Sequence, residues 1–209
     1  HTAEKAQPGY YQVMLADEGI NAELTATTRT GIHRYSYPNG KEAQLIIDLD
    51  HSANKGSWNR RIINSQIRIV NDHAIEGYRI ITGWAKLRKV YFYIEFSSPI
   101  LSSSLRDGDR QYENTPVING SNLHAMLRFG KLNEKPLICK VALSPVSTDN
   151  AQLNLKQEAS HWDFNQYTTN ADRLWEKELE KINIQGTDLQ KTIFYTALYH
   201  TLIQPNTIS

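Results

Sequence analysis

Apolar and polar side chains alternate along much of residues 10–145. Leu45, Ile47 and Leu49, for example, alternate with Gln44 and Asp48. A period of two places every second side chain on the same face of a strand and is typical of a half-buried sheet. The alternation is strongest in residues 45–49, 90–96, 125–129 and 137–143. Weaker strands are predicted at residues 10–15, 22–28, 32–37, 66–70 and 77–82.

Short turn sequences separate these predicted strands, among them Pro8-Gly9, Asn39-Gly40 and Asn119-Gly120. Glycine and asparagine tolerate the backbone conformations that tight turns need. Many strands with short turns and no helical period between them favour an antiparallel β-sandwich. The polar segment 102–121 interrupts the pattern and is predicted to be a long surface excursion.

The period changes near Asp149, which is predicted to cap a short helix ending at Glu158. A longer helix is predicted over residues 164–181, because apolar residues recur there at steps of three and four. Residues 183–186 are predicted to break the helical pattern or to form a short strand.

The last predicted helix follows a capping box formed by Thr187 and Gln190 and stops before Pro205. Its apolar side chains occupy more than one face of the helix. A helix with such a wide apolar surface requires neighbours on several sides. We therefore expect its packing partners to lie outside this chain, in a second helical domain of which it is the first helix.

Composition excludes several function classes. The formal net charge of +1 gives no electrostatic footprint for nucleic acid. No apolar run approaches the roughly 20 residues that span a bilayer. The single cysteine, Cys139, alternates with core-facing residues and is expected to be buried rather than reactive or metal-binding.

No short motif in the sequence is specific for catalysis or for zinc. Asp48 and Asp50 would share one face of a strand and could do acid–base work, but a solvated strand end or a polar turn explains them equally well. Asp107-Gly108-Asp109 is predicted to be a turn rather than a calcium loop, because the closing glutamate is missing. The eleven Tyr and four Trp residues could stack on sugars, although strands are also rich in aromatic residues.

Five blocks together resemble glycoside hydrolase family 92, the calcium-dependent exo-acting α-mannosidases. They are His1–Val13, Glu23–Tyr35, Val90–Pro99, Ala142–Leu155 and Phe194–His200. The resemblance is distributed over essentially the whole chain. It implies an N-terminal β-sandwich, a helical linker and a C-terminal (α/α)6 barrel, with the active site between the two domains.

The resemblance also implies an enzyme that removes terminal mannose from α-linked mannans or N-glycans with inversion, the linkage being α-1,2. Its calcium ligands, acid and base would come from the barrel, so this chain is expected to contain none of them and to be inactive alone. Such enzymes are usually exported to the periplasm or cell surface of bacteria.

On this resemblance the expected domains are a sandwich over residues 1–148 that is incomplete at its start, a helical linker over 149–186, and the truncated first barrel helix over 187–209. Candidate sugar contacts within the matching blocks are His1, Glu4, Arg29 and His33, which could equally cap or brace strand ends. The alternative function is a stand-alone carbohydrate-binding or structural sandwich module.

Overall fold

A computed structural model describes residues 3–51, 62–83, 85–113 and 115–204 of the chain. These residues form thirteen strands and three helices. The strands are β1 (Glu4–Gln7), β2 (Tyr10–Leu15), β3 (Ile20–Ala26), β4 (Thr30–Ser36), β5 (Glu42–Asp48), β6 (Ile62–Asn71), β7 (Ala74–Ile81), β8 (Arg88–Phe96), β9 (Ser102–Asp107), β10 (Arg110–Glu113), β11 (Val117–Gly120), β12 (Leu123–Lys131) and β13 (Leu137–Ser144). The helices are α1 (Thr148–Glu158), α2 (Phe164–Leu179) and α3 (Asp188–Leu202).

The described strands form two antiparallel sheets, which confirms the predicted sandwich. A nine-stranded sheet has the order β1-β2-β3-β4-β13-β8-β7-β6-β11, and a four-stranded sheet has the order β10-β9-β12-β5. The main core lies between them and is built from alternate residues of both sheets, such as Phe96, Leu127 and Cys139. The burial of Cys139 confirms its predicted place in the core.

The segment 102–121, predicted as a surface excursion, instead contributes β9, β10 and β11. That prediction was wrong because polar residues dominate the segment, while only single apolar residues anchor it. Leu105 is fully buried and Ile118 nearly so, and each lies on a strand at or near a sheet edge. The predicted turn at Asp107-Gly108-Asp109 is confirmed between β9 and β10, with Gly108 at a φ of +57°.

Helices α1 and α2 cover the outer face of the nine-stranded sheet. Helix α1 lies against β13 and β8, and α2 lies against β3 and β4. Ser147 caps α1 by accepting a hydrogen bond from the backbone N–H of Asn150, so the predicted cap at Asp149 was wrong. Asp149 instead lies in the first turn, where its negative charge interacts favourably with the positive end of the helix dipole.

Gly9 allows α2 to approach the sheet closely. It connects β1 to β2 with a φ of +76°, and a Cβ placed there would lie 2.8 Å from Cβ of Ala171 on α2. Both the positive φ and the short distance exclude a larger residue without movement of the helix. Gly9 therefore helps to fix the position of α2.

Helix α3 differs from the other two because none of its residues is buried. The predicted capping box is confirmed, with the Thr187 hydroxyl accepting from the backbone of Gln190. Helix α3 packs against α2 through Tyr199 and Trp175, whose ring centroids lie 4.7 Å apart. Leu189 and Ile193 are 69% and 62% exposed, so a wide apolar surface stays open to solvent.

Candidate functional site: the faces of the nine-stranded sheet

Two of the four predicted sugar contacts lie on the inner face of the nine-stranded sheet. His33 on β4 lies directly opposite Cys139 of the sandwich core, and residues directly opposite one another share a face. The register leads from Tyr35 through Ala22 and Val13 to Glu4, so Glu4 is also on this face. His1 lies outside the described residues.

Glu4 and His33 share a face, but they are not close together. They are separated by three strand spacings, which amounts to roughly 14 Å at the usual distance between strands. That is wider than the roughly 6.5–9.5 Å between the two carboxyl groups of an inverting glycosidase. This spacing suits contacts with different parts of a bound glycan or protein, and only one of the two residues carries the carboxyl group that glycoside hydrolysis uses.

His33 is held by its neighbour on the same strand. One ring nitrogen, Nδ1, lies 2.9 Å from the hydroxyl of Tyr35, and the two rings meet edge to face. Burial lowers the pKa of His33, so the imidazole is neutral at pH 7. A neutral imidazole can donate one hydrogen bond and accept another, which suits contact with a hydroxyl group better than with an anion.

Glu4 lies on the exposed edge strand β1 and interacts with Tyr11 on β2. Burial raises the pKa of the Tyr11 phenol, and the nearby Glu4 carboxylate raises it further. The pair presents an acceptor and an aromatic ring side by side at the sheet edge.

Arg29 points to α1 rather than to the inner face. Its guanidinium Nη1 and its backbone N–H donate to the Glu158 carboxylate, each over 2.7 Å. The hydroxyl of Thr27 donates to the same carboxylate over 2.6 Å. Burial raises the pKa of Glu158, but these hydrogen bonds outweigh burial and lower it overall. Together these contacts attach the end of α1 to the β3–β4 hairpin.

A partly buried charge network, which the sequence pattern did not reveal, attaches α2 to the sheet. Arg34 donates to both oxygens of Glu23 over 2.6 and 2.7 Å and to Asn165 of α2 over 2.8 Å. Its guanidinium lies 4.3 Å from the ring centroid of Phe164. Glu23 and Arg34 lie opposite each other on the paired strands β3 and β4. Their ion pair could be recognised from the sequence only if the register of these two strands were known.

Lys140 is a second buried charge under the helices. It is 2% exposed, and its Nζ lies 3.7 Å from the ring centroid of Trp162 in the loop between α1 and α2. The carboxylate of Glu95 is 4.0 Å away. Burial lowers the pKa of Lys140, while Glu95 opposes that shift. The ring of Trp162 therefore packs over the Lys140 cation. Trp58 and Trp84 lie outside the described residues.

Asp48 makes the polar turn that was one of its three predicted interpretations. Its carboxylate accepts from the backbone N–H groups of Asp50 and His51 over 2.7 and 2.8 Å, and Nε2 of His124 lies 3.3 Å away. Burial raises the pKa of Asp48, yet the backbone donors and the histidines lower it overall. A carboxylate held ionised in this way is a poor general acid.

The carboxylate of Glu76 on the nine-stranded sheet is also paired. Glu76 is 7% exposed and pairs with Arg68 on the neighbouring strand. Calcium takes six to eight oxygen ligands, often from several carboxylates. Within residues 3–51, 62–83, 85–113 and 115–204, no three His, Cys, Asp or Glu side chains lie together as a metal site. The described residues therefore contain no carboxylate cluster of the kind that often holds calcium.

Two family models match successive parts of the chain. Residues 1–144 match the model of the glycosyl hydrolase family 92 N-terminal domain, and residues 150–209 match that of the family 92 catalytic domain. The structure is similar to the family GH92 α-mannosidase BT3965 of Bacteroides thetaiotaomicron, with a TM-score of 0.92 and 32% identity over all of this chain and 28% of that chain.

Two further relatives extend the comparison. The inverting GH92 mannosidase BT2199 of the same species has a TM-score of 0.85 and 25% identity over 99% of this chain and 27% of its own. An uncharacterised secreted glycosidase of Arthroderma benhamiae is 26% identical over 96% of this chain and 28% of its own length. The chain thus spans little more than a quarter of these relatives. It belongs to glycoside hydrolase family 92.

Proposed function

We propose that the chain is the N-terminal part of an exo-acting α-mannosidase that releases terminal mannose, through α-1,2 linkages, from mannans or N-glycans with inversion. Its sandwich over residues 1–148 and its linker over 149–186 support and partly wall the active site. Residues 187–209 begin the catalytic (α/α)6 domain. The family membership and the names of two solved relatives as mannosidases support this assignment.

The exposed apolar surface of α3 carries the proposal. Leu189, Ile193 and Leu202 lie along the helix at steps of four and nine residues, and all are open to solvent. Apolar side chains in this number on one short helix favour burial, and each is worth about 1.5–3 kcal/mol when fully covered. Further helices of a catalytic domain would supply that cover.

The chemistry itself is proposed to reside elsewhere in the polypeptide. Inverting hydrolysis needs one carboxyl group that protonates the leaving oxygen and a second that activates water. Glu23, Glu76 and Glu158 each pair with an arginine. The pKa values of Glu23 and Glu158 are lowered overall, so both carboxyl groups are ionised at neutral pH. They stabilise the fold and are unsuited to donating a proton. The calcium of the family is likewise proposed to bind outside the described residues.

The inner face offers the sugar-facing groups of this chain. We assign Glu4 and His33 to contacts with the glycan or with the catalytic domain, and His1 belongs to the same sequence block. Arg29 is assigned to the attachment of α1, because it already binds Glu158. The secreted fungal relative supports export of the enzyme, and no helix in the described part of the chain could span a membrane.

The test compares residues 1–209 with the full natural polypeptide on α-1,2-mannobiose, with calcium and with a chelator. We expect mannose release only from the full polypeptide, and only with calcium. Ile193→Ser in that polypeptide should lower activity, because it places a hydroxyl in the contact with the barrel. Lys191→Ser, which replaces a charged instead of an apolar exposed side chain of the same helix, is the matched control. Equal activity of both variants, or no mannosidase activity in the wild type, would contradict the proposal.

A further inference from the structure

A polar cleft lies between α2 and the outer face of strands β1 to β4. Its volume is about 300 Å³, which is the lower end of the range for small-molecule sites. The floor contains Lys5, Glu23 and Arg34, which lie in one row across the paired strands. Lys5 follows Glu4 on β1, and successive residues of a strand point to opposite faces. The cleft is therefore on the other face of the sheet from Glu4 and His33.

Helix α2 forms the wall of this cleft with a polar face. Four of its residues line the cleft: Asn165, Thr168, Thr169 and Asp172. They recur at steps of three, four and seven residues, which places them on one side of a helix. The buried stripe of the same helix is formed instead by Phe164, Tyr167 and Ala171. Helix α2 thus packs on the sheet with an apolar stripe and turns a polar one towards the cleft.

Arg34 is held in place at the floor of the cleft. Its guanidinium donates to both oxygens of Glu23 and to Oδ1 of Asn165, and it lies over the ring of Phe164. An arginine has five N–H donors, so these three hydrogen bonds leave one on each terminal nitrogen without a partner among the described residues. Because the side chain is already ordered, a ligand that accepts from it loses little affinity to further ordering.

Three more groups of the lining have unused hydrogen-bonding capacity within the described part of the chain. They are Nδ2 of Asn165, Nζ of Lys5 and the carboxylate of Asp172. The Lys5 ammonium lies 5.8 Å from the ring centroid of Tyr10, which also lines the cleft. The lining thus offers donors, an acceptor and an aromatic ring together.

We propose that this cleft binds a neutral saccharide, with one pyranose ring placed between the floor and α2. Each sugar hydroxyl can donate one hydrogen bond and accept two. Hydroxyl groups can therefore accept from Arg34, Lys5 and Asn165 while others donate to Asp172. The ring carbons contact Tyr10, because a tyrosine combines an apolar ring with a polar end.

The charges of the lining favour a neutral ligand over an ion. Lys5 and Arg34 carry two positive charges, which Glu23 and Asp172 balance with two negative ones. An anion would gain from the two cations but would lie beside two carboxylates. A small zwitterion can pair with Lys5 and Asp172, but it has too few groups to reach Asn165 and Arg34 as well.

Acetylation of Lys5 by sulfosuccinimidyl acetate tests the inference in the full natural polypeptide, with each lysine read separately by peptide mass spectrometry. The probes are the methyl β-glycosides of glucose, galactose and mannose, which have no free aldehyde that could react with the amine. We expect at least one of them to slow acetylation of Lys5 by about threefold or more once its concentration exceeds its dissociation constant. Lys177, an exposed lysine of α2 outside the cleft, is the internal control and should react at an unchanged rate.

Two matched variants locate the binding within the cleft. Asn165→Ala should raise the glycoside concentration that gives half-protection of Lys5 by about three- to tenfold, because one hydrogen bond is lost. Asn170→Ala makes the same substitution on α2 at an exposed residue outside the lining and should leave that concentration unchanged. Equal effects of the two variants would contradict binding in this cleft.

Sodium sulfate and glycine betaine test the ligand class, with sodium chloride at the same ionic strength as the reference. Protection by sulfate or betaine but by none of the glycosides would overturn the inference, and so would no protection by any probe. The inference goes beyond the proposed function, because protection of Lys5 is measured without turnover. An active enzyme with an unprotected Lys5 contradicts only the saccharide cleft, whereas an inactive one with a protected Lys5 contradicts only the enzymatic function.

Discussion

Helices α1 and α3 show that apolar composition does not decide which helix is buried. Helix α1 is polar along most of its length, yet Ala151 and Leu155 are buried against the sheet. Helix α3 is richer in apolar residues and has no buried residue. The difference lies in the sheet, whose outer face is occupied by α1 and α2. A helix is stabilised by the surface that it meets, and within the described part of the chain α3 packs against the side of α2 and the segment that follows it.

Loss of Leu155 should have the largest effect on this comparison. Its side chain is 2% exposed and packs with Tyr93 and Ala142, so Leu155→Ala leaves a cavity. We expect the free energy of unfolding to fall by about 2–5 kcal/mol in urea titrations. Leu153→Ala on the exposed side of α1 is the control and should change it by less than about 0.5 kcal/mol. Equal losses would show that α1 is not docked as described.

The attachment of α1 at Glu158 should have the next largest effect. Glu158→Gln removes the charge that accepts from Thr27 and Arg29, and hydrogen bonds to charged groups are worth about 1.5–3 kcal/mol. The pKa of Glu158 is lowered in the folded state. Its contribution is therefore present above the ordinary glutamate pKa of 4.5 and is lost as pH falls through the folded value.

The measurement is the difference in unfolding free energy between wild type and Glu158→Gln at pH 7 and at pH 3. We expect the difference to shrink at the lower pH, because the wild-type carboxyl becomes protonated. Glu176→Gln, on the exposed side of α2, provides a control in which neither value should change much. A difference that is constant with pH would argue against an ionised Glu158.

A smaller effect is expected at the loop between α1 and α2. Trp162→Leu removes the ring over Lys140, and a desolvated cation–π contact is worth about 2 kcal/mol. In a Lys140→Met background, Trp162→Leu should lower the free energy of unfolding by less, because no cation then contacts the ring. A double-mutant cycle by urea unfolding measures the coupling. Additive losses would mean that Trp162 stabilises the loop by packing alone.

The smallest effect on stability is expected in α3. Ile193→Ser in residues 1–209 should change the free energy of unfolding by less than about 0.5 kcal/mol, because Ile193 is 62% exposed. It should instead reduce self-association in sedimentation experiments, since an open apolar patch promotes contacts between molecules. A large loss of stability would show that α3 is packed within this chain and would weaken the comparison with α1.

Sequence patterns predicted the sandwich because its long strands alternate strictly over a buried core. They missed β9, β10 and β11, where one apolar residue such as Leu105 anchors each polar strand. The cap of α3 at Thr187 was predicted correctly, whereas the cap of α1 was predicted at Asp149 and lies at Ser147. Which helices pack on the sheet depended on how much of the sheet face was still uncovered. It did not depend on the apolar pattern of the helix.

The candidate site was less predictable, because side chains from distant strands meet only through the register. Glu4 and His33 were selected from matching sequence blocks, and the register then placed them on one face at different strands. Arg29 came from the same block but points to α1. The Glu23–Arg34 network needed the pairing of β3 with β4 to be recognised. Spacing along the chain carries none of this information.

Mannose release from α-1,2-mannobiose by residues 1–209 alone tests the central claim most directly. The assay is run with calcium and then with a chelator. We expect no release above buffer in either condition, because the proposed function places the catalytic carboxyl groups outside these residues. Calcium-dependent release would mean that the acid, the base and the metal ligands all lie within this chain. The proposed function would then be wrong.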